Sequence, residues 1–265
     1  MLLAIDVGNT NAVIGIYEGA ELRASWRAAT DHERTADEWG GLIYTFLSAR
    51  EMALREVHAC IVSSVVPPVT SALREMSAGL LGHPAMVIEP GLKTGVRIAI
   101  DNPREVGADR IVNAVAAYRR YGGPCIVVDF GTATTVDAIG ADGAYLGGAI
   151  APGLTTSAEA LYRLAARLYS VELVAPRSVI GKNTVNSMQA GIVIGYVALV
   201  EGLVGRMKAE LQAGGAPADL PVIATGGLSG LIAHETSVIT HTDPDLTLDG
   251  LRMIYEMNAH PQGAP

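Results

Sequence analysis

The chain has 265 residues, of which 49% are hydrophobic and 5% aromatic, enough to bury a sizeable core in one large domain or two small ones. Its formal charge of -8, from 27 acidic and 19 basic side chains, comes without any block of lysine or arginine. Nucleic acid and anionic membranes are therefore not expected partners, because both demand a positive footprint.

The sequence reaches Asp6 without a basic segment or an apolar signal region, so no signal peptide is expected, the protein is expected to start at Met1, and its expected location is the cytoplasm. The longest apolar stretch, Ala190 to Val200, stops at Glu201, short of the roughly 18 to 20 residues that cross a bilayer, and predicts a buried or subunit-packing helix. Cys60 and Cys125 lie in apolar runs with neither Cys-x-x-Cys nor Cys/His spacing, which argues against a disulfide framework or a zinc site and for buried strand thiols. None of the six histidines has metal-ligand spacing or an adjacent nucleophile.

In chain order, the apolar runs Leu2 to Ile5 and Ala12 to Tyr17 flank Asp6-Val7-Gly8-Asn9-Thr10-Asn11, a hairpin signal. A helical pattern follows over Thr35 to Arg50, then a strand-like run from Ala59 to Val66 ending at Pro67-Pro68. Asn102-Pro103 predicts a helix start, with Asn as N-cap and Pro at the first position, ahead of Val106, Ile111, Val112, Val115 and Tyr118. Tyr121-Gly122-Gly123-Pro124 breaks it, and a domain boundary is expected there. Alternating strands and helices indicate an α/β architecture.

The second half opens like the first. A shift of 123 residues superposes Asp6 on Asp129, Gly8 on Gly131, Asn9 on Thr132, Asn11 on Thr134 and Val13 on Val136, which points to a duplicated domain. Turns of this composition suit the phosphates of a nucleotide. Gly lets the backbone approach closely, exposed N–H groups and Asn or Thr side chains donate to phosphate oxygens, and Asp holds a magnesium ion or its waters. One turn alone reads equally well as an ordinary hairpin in which Asp and Asn bond their own backbone, whereas two matching copies favour a triphosphate clamp.

Three further segments admit two readings each. Pro221 to Ser229, a strand entering a Gly-Gly turn, suits either a nucleotide approach or a plain strand-to-helix connection. Asp109 and Arg110, behind Gly107 and Ala108, suit either a base with an anion clamp or an acid placed favourably in a helix dipole beside a solvated Arg. Lys182-Asn183-Thr184 suits either a cleft wall or a helix cap.

Taken with Asn102 to Arg110, Val128 to Asp137, Gly147 to Leu154, Gly181 to Thr184 and the closing Leu246 to Leu251, the Asp6 to Asn11 segment resembles the type III pantothenate kinase family through most of the chain. The resemblance implies two duplicated ribonuclease-H-like lobes, residues 1–120 and 121–265, with an interlobe ATP cleft and a last helix able to pack back on the first lobe. It implies a homodimer that phosphorylates pantothenate with ATP, the first step towards coenzyme A. It implies that Asp6, Val7, Gly8, Asn9, Thr10, Asn11, Ala12 and Val13 form the ATP phosphate loop and that Thr132 is a second ATP contact. Ile100, Gly107, Ala108, Asp109, Arg110 and Thr184 would bind pantothenate, with Asp109 as proton acceptor. Asp129 would bind a monovalent cation, potassium or ammonium, and magnesium would accompany ATP near Asp6. Ile100 is a departure, since many family members carry a substrate-contacting tyrosine there and an aliphatic side chain donates no hydrogen bond. The rival readings are a kinase for another small hydroxylated substrate and a non-catalytic nucleotide-binding regulatory homologue.

Overall fold

The computed structural model describes residues 1–165 and 167–259. The chain divides into two units. Unit 1 holds Met1–Val96, Asn102–Ala116 and the described residues from Asp245 onward, and unit 2 holds Arg97–Asp101 and Ala117–Pro244.

In unit 1, β1 (Leu2–Val7) and β2 (Asn11–Glu18) form a hairpin continued by β3 (Glu21–Ala29), while β4 (Ala59–Ser64) and β5 (Met86–Val87) add in parallel on the other side. The order is β3-β2-β1-β4-β5, with β1 at the centre. Strand alternation sends Leu3, Ile5, Val7, Ile14 and Val62 to one face, where α1 (Ala36–Ser48) and α2 (Pro67–Leu81) cover them with Trp39, Ile43, Leu47, Leu73 and Met76. The start of α1 is fixed by a capping box: Thr35 N–H donates to Glu38 Oε2 at 2.8 Å while Glu38 N–H donates to Thr35 Oγ1 at 3.4 Å. The opposite face carries Leu2, Ala4, Tyr17 and Ile61 against Val112 and Val115 of α3 (Ala108–Tyr121) and against Leu248, Leu251 and Ile254 of the closing helix (Leu246–Ala259).

The expected helix start at Asn102 is corrected. Asn102 caps only a single 3-10 turn, Pro103–Glu105, and its amide donates to Glu105 Oε1 at 2.6 Å, closing that turn on itself. Val106 is extended (φ -73, ψ 125), and the long helix begins at Ala108.

Unit 2 repeats the plan. β6 (Cys125–Phe130) and β7 (Ala133–Ile139) form the hairpin, β8 (Tyr145–Pro152) continues it, and β9 (Val222–Thr225) and β10 (His241–Thr242) add in parallel. The order β10-β9-β6-β7-β8 is that of unit 1 read from the other end. Ile126, Val128, Phe130, Val136, Val222 and Ala224 face a layer built from α4 (Leu154–Leu164), α5 (Thr184–Gln189), α6 (Gly195–Ala213) and α7 (Ser229–Ala233).

A π-helical segment, Ala190–Ile194, joins α5 to α6, so that the helical run Thr184–Ala213 reaches 30 residues and is long and apolar enough to cross a membrane by length and composition alone. It packs as a core helix does: Val193, Val197, Val200 and Val204 are buried on the sheet. Cys60 and Cys125 are buried free thiols, and burial pushes each up to about 12, which keeps them protonated and unreactive.

Candidate functional site

The two turns at the centres of the two sheets are built alike but not identically. In the first, Gly8 N–H donates to Asn11 O at 3.0 Å, leaving Asn9 and Thr10 exposed at the tip; in the second, Gly131 N–H donates to Ala133 O at 3.1 Å around Thr132 alone. Strand register records the difference, since Asp6 pairs with Val13 whereas Asp129 pairs with Thr135. The ungapped 123-residue superposition therefore holds up to the turn and slips by one beyond it: Val13 corresponds to Thr135 and Asn11 to Ala133. The longer first turn offers more exposed polar side chains, Asn9, Thr10 and Asn11, than the second, which exposes Thr132 between Gly131 and Ala133.

Each aspartate stands in a row of oxygen-bearing neighbours. Asp6 pairs across the parallel ladder with Ser63, which is fully buried and whose hydroxyl has no hydrogen-bond partner among the described residues. Asp129 lies between Thr225 on β9 and Thr135 on β7, and the buried Thr135 hydroxyl likewise has no partner among the described residues. Paired strand residues share a sheet face, so these hydroxyls stand beside the carboxylates. A buried hydroxyl without a partner costs about 1–3 kcal/mol, and hard cations take such oxygen ligands. Both neighbourhoods fit a hard cation.

The Gly-Gly turn after β9 backs onto the second aspartate. Gly226 has φ +89, and a Cβ there would stand 2.6 Å from Asp129 Oδ1 and 2.7 Å from Phe130 N, so only glycine fits both the conformation and the space. Sequence reasoning missed Ser63, Thr135 and Gly226 as neighbours of the aspartates. Only the strand register, unreadable from a single sequence, joins them.

Asp109 and Arg110 occupy the first turn of α3 and are half-buried. Asp109 Oδ1 accepts from Arg110 N–H at 2.9 Å and lies against Gly107 where a Cβ would be, so the Gly107 backbone is open only because it lacks a side chain. In unit 2, Ile100 sits over Gly147, with its Cγ2 3.4 Å from the position of a Cβ on that glycine. Its segment is pinned to the edge of β8: Ala99 N–H donates to Tyr145 O at 2.8 Å and Tyr145 N–H to Arg97 O at 2.9 Å.

Asn183 caps α5, its side chain accepting from Asn186 N–H at 2.8 Å, which is the structural reading of that cluster. Thr184 and Lys182 are exposed and line an open groove of about 1040 Å³ with Leu161, Gly191, Tyr196 and Leu199.

The family model described as type III pantothenate kinase matches residues 2–206. The chain belongs to the type III pantothenate kinase family. The type III pantothenate kinase of Moorella thermoacetica is 55% identical over 258 residues, covering 97% of this chain and all of that one. Among solved structures, component A of the (R)-2-hydroxyglutaryl-CoA dehydratase of Acidaminococcus fermentans is 17% identical with a TM-score of 0.53 over 94% of each chain. An inorganic polyphosphate/ATP-glucomannokinase of Arthrobacter sp. strain KM is 17% identical with a TM-score of 0.50 over 97% of this chain and 98% of its own. At those identities the likeness speaks for the fold alone, two duplicated ribonuclease-H-like lobes, in keeping with the matched sheet orders. Within the type III pantothenate kinase family, then, this chain carries the two aspartate turns on matching strand-turn-strand elements of its two sheets.

Proposed function

We propose that the chain transfers the γ-phosphoryl group of ATP to the primary hydroxyl of pantothenate, giving 4'-phosphopantothenate for coenzyme A biosynthesis. The observation that carries this reading is the pair of Asp-x-Gly turns at the central strands of two topologically matched sheets, in a chain of this family.

Phosphoryl transfer proceeds through a loose transition state, so the protein contributes mainly position and charge neutralisation. Residues Asp6 to Val13 hold the phosphates of ATP through backbone N–H groups and the Asn9, Thr10 and Asn11 side chains, and Thr132 is a second contact. Asp6, with the Ser63 hydroxyl beside it, holds magnesium, and Asp129, with Thr135 and Thr225, holds a monovalent cation, potassium or ammonium. These ions supply positive charge against the phosphates. Gly107, Ala108, Arg110, Ile100 and Thr184 bind pantothenate, with Arg110 on its carboxylate and Ile100 against its methyl groups. Asp109 accepts the hydroxyl proton.

The acting form in this reading is a homodimer in the cytoplasm, where ATP is supplied. The groove beside Thr184, lined by Leu161 and Leu199 that are 38% and 37% exposed, supports a second copy as its occupant. The deciding experiment is ADP release from purified protein with ATP and magnesium. Turnover should require pantothenate and be faster in potassium than in sodium. Protein that binds ATP but releases no ADP with pantothenate in either salt would transfer the reading to another hydroxylated substrate or to a non-catalytic homologue.

A further inference from the structure

Each of the two turns is held from behind by the residue that follows the third strand of its own sheet. In unit 1 that residue is Thr30, after β3: its N–H donates to Thr10 O at 2.9 Å and its hydroxyl to Gly8 O at 2.8 Å. In unit 2 it is Gly153, after β8: its N–H donates to Thr132 O at 3.0 Å. Gly153 has no hydroxyl, and a Cβ there would collide with Gly131 O and Thr132 O. The missing hydroxyl comes instead from Thr156, in the first turn of α4, which donates to the same Thr132 O at 2.8 Å. The two units thus reach one arrangement, a main-chain N–H and a threonine hydroxyl drawing back the carbonyls of the turn, through different residues.

A trans peptide is planar, with its C=O and its N–H pointing in opposite directions. Drawing back Gly8 O therefore turns the Asn9 N–H the other way, and drawing back Thr132 O does the same for Ala133 N–H. Those N–H groups are the anion-binding edge of a phosphate turn. A second anchor stands beside the unit 2 turn, where the Tyr196 hydroxyl donates to Pro152 O at 3.0 Å and accepts from the Thr134 hydroxyl at 2.6 Å.

We propose that Thr30 and Thr156 are a duplicated pair of positioning residues, whose hydroxyls fix the two turns in the conformation that receives the phosphates of ATP. The inference rests on the kinase reading for the identity of the ligand. Neither threonine is assigned a contact with substrate.

The test is calorimetric binding of a non-hydrolysable ATP analogue with magnesium to wild type, Thr30→Val, Thr30→Ser, Thr156→Val and Thr156→Ser, each first checked for a cooperative melt. One neutral hydrogen bond is worth roughly 0.5–1.5 kcal/mol, so each valine variant should bind roughly two- to twelvefold more weakly. The serine variants, which keep the hydroxyl, should bind as wild type does, and in turnover KM for ATP should rise without a matching rise for pantothenate. Valine variants that bind as wild type does, serine variants that fail to restore binding, or equal rises in both KM values overturn the inference. Should one valine variant fail to fold, the pair on the other turn decides. Wild-type protein that binds no nucleotide overturns the kinase reading and this inference together, whereas normal wild-type binding with unaffected valine variants overturns this inference alone.

Discussion

Asp109 shows how much of a site can rest on one small residue beside it. Its carboxylate folds over Gly107 and accepts from the Arg110 N–H at 2.9 Å, which orients it at the first turn of α3. Replacing Asp109 by Asn keeps the shape and an oxygen acceptor but removes the basicity that the proposed proton-accepting role requires. Turnover of Asp109→Asn should therefore fall by roughly two to four orders of magnitude while affinity for the ATP analogue, measured by the same calorimetry, stays within twofold of wild type. Loss of nucleotide affinity in a folded Asp109→Asn protein would mean that the carboxylate serves the nucleotide and not the hydroxyl. The residue types at this position were legible in the sequence, because Gly-Ala-Asp-Arg ahead of an apolar helical period is a local pattern. The hydroxyls of Thr30 and Thr156 were not: their carbonyl partners lie 22 and 24 residues away, and only folded strands bring them into reach.

At the scale of elements, the sequence told most where structure is local. The capping box of α1 is written in Thr35 and Glu38, and the hairpins are written in alternating apolar runs around Gly8 and Gly131. It told less where spacing decides. The second turn is one residue shorter than the first, and an ungapped comparison hides that; Asn102-Pro103 has the composition of a helix start, yet the chain uses it for a single 3-10 turn. Glycines give a contrast that only the packing resolves. Gly15 on β2 lies beneath the closing helix, and a Cβ there would stand 2.9 Å from Leu248 Cδ1 and 3.1 Å from Leu22 Cδ1. Gly41, exposed in the middle of α1, has nothing within 4 Å of that position. Overpacking costs about 1–3 kcal/mol, so Gly15→Val should lower the denaturant midpoint. Gly41→Ala should raise it, by up to about 1 kcal/mol of helix propensity. A stabilised Gly15→Val protein would show that the closing helix does not pack on β2 as described.

For the molecule as a whole, duplication explains the matched sheet orders, while the helical layer of unit 2 has its own build. There the run Thr184–Ala213 has a sheet-facing stripe, Val193, Val197, Val200 and Val204, that belongs to the core. Its other side exposes Gly191, Gly195, Leu199 and Gly202, and among the described residues nothing outside the helix's own backbone comes within 4 Å of a Cβ position on any of the three glycines. Periodicity alone left this stretch open between core and interface; its sheet-facing stripe is core. A small-residue stripe sharing a groove with exposed Leu161 allows a second helix to approach closely, and a self-complementary patch closes as a two-fold dimer. Leu199→Glu changes only the outer side, where Leu199 is 37% exposed, so the core should be spared. In a two-fold interface the change appears twice, setting a charge without a partner on each side of the contact. Sedimentation should give wild-type protein twice the 27.6 kDa of the chain and Leu199→Glu the mass of one chain, with an unchanged melt of the monomer's secondary structure. Thr184 lines the same groove, so the KM for pantothenate should rise in that variant while affinity for ATP does not. A single-chain mass for wild type at micromolar concentration would sink the dimer, and a dissociated variant with normal pantothenate kinetics would separate assembly from substrate binding.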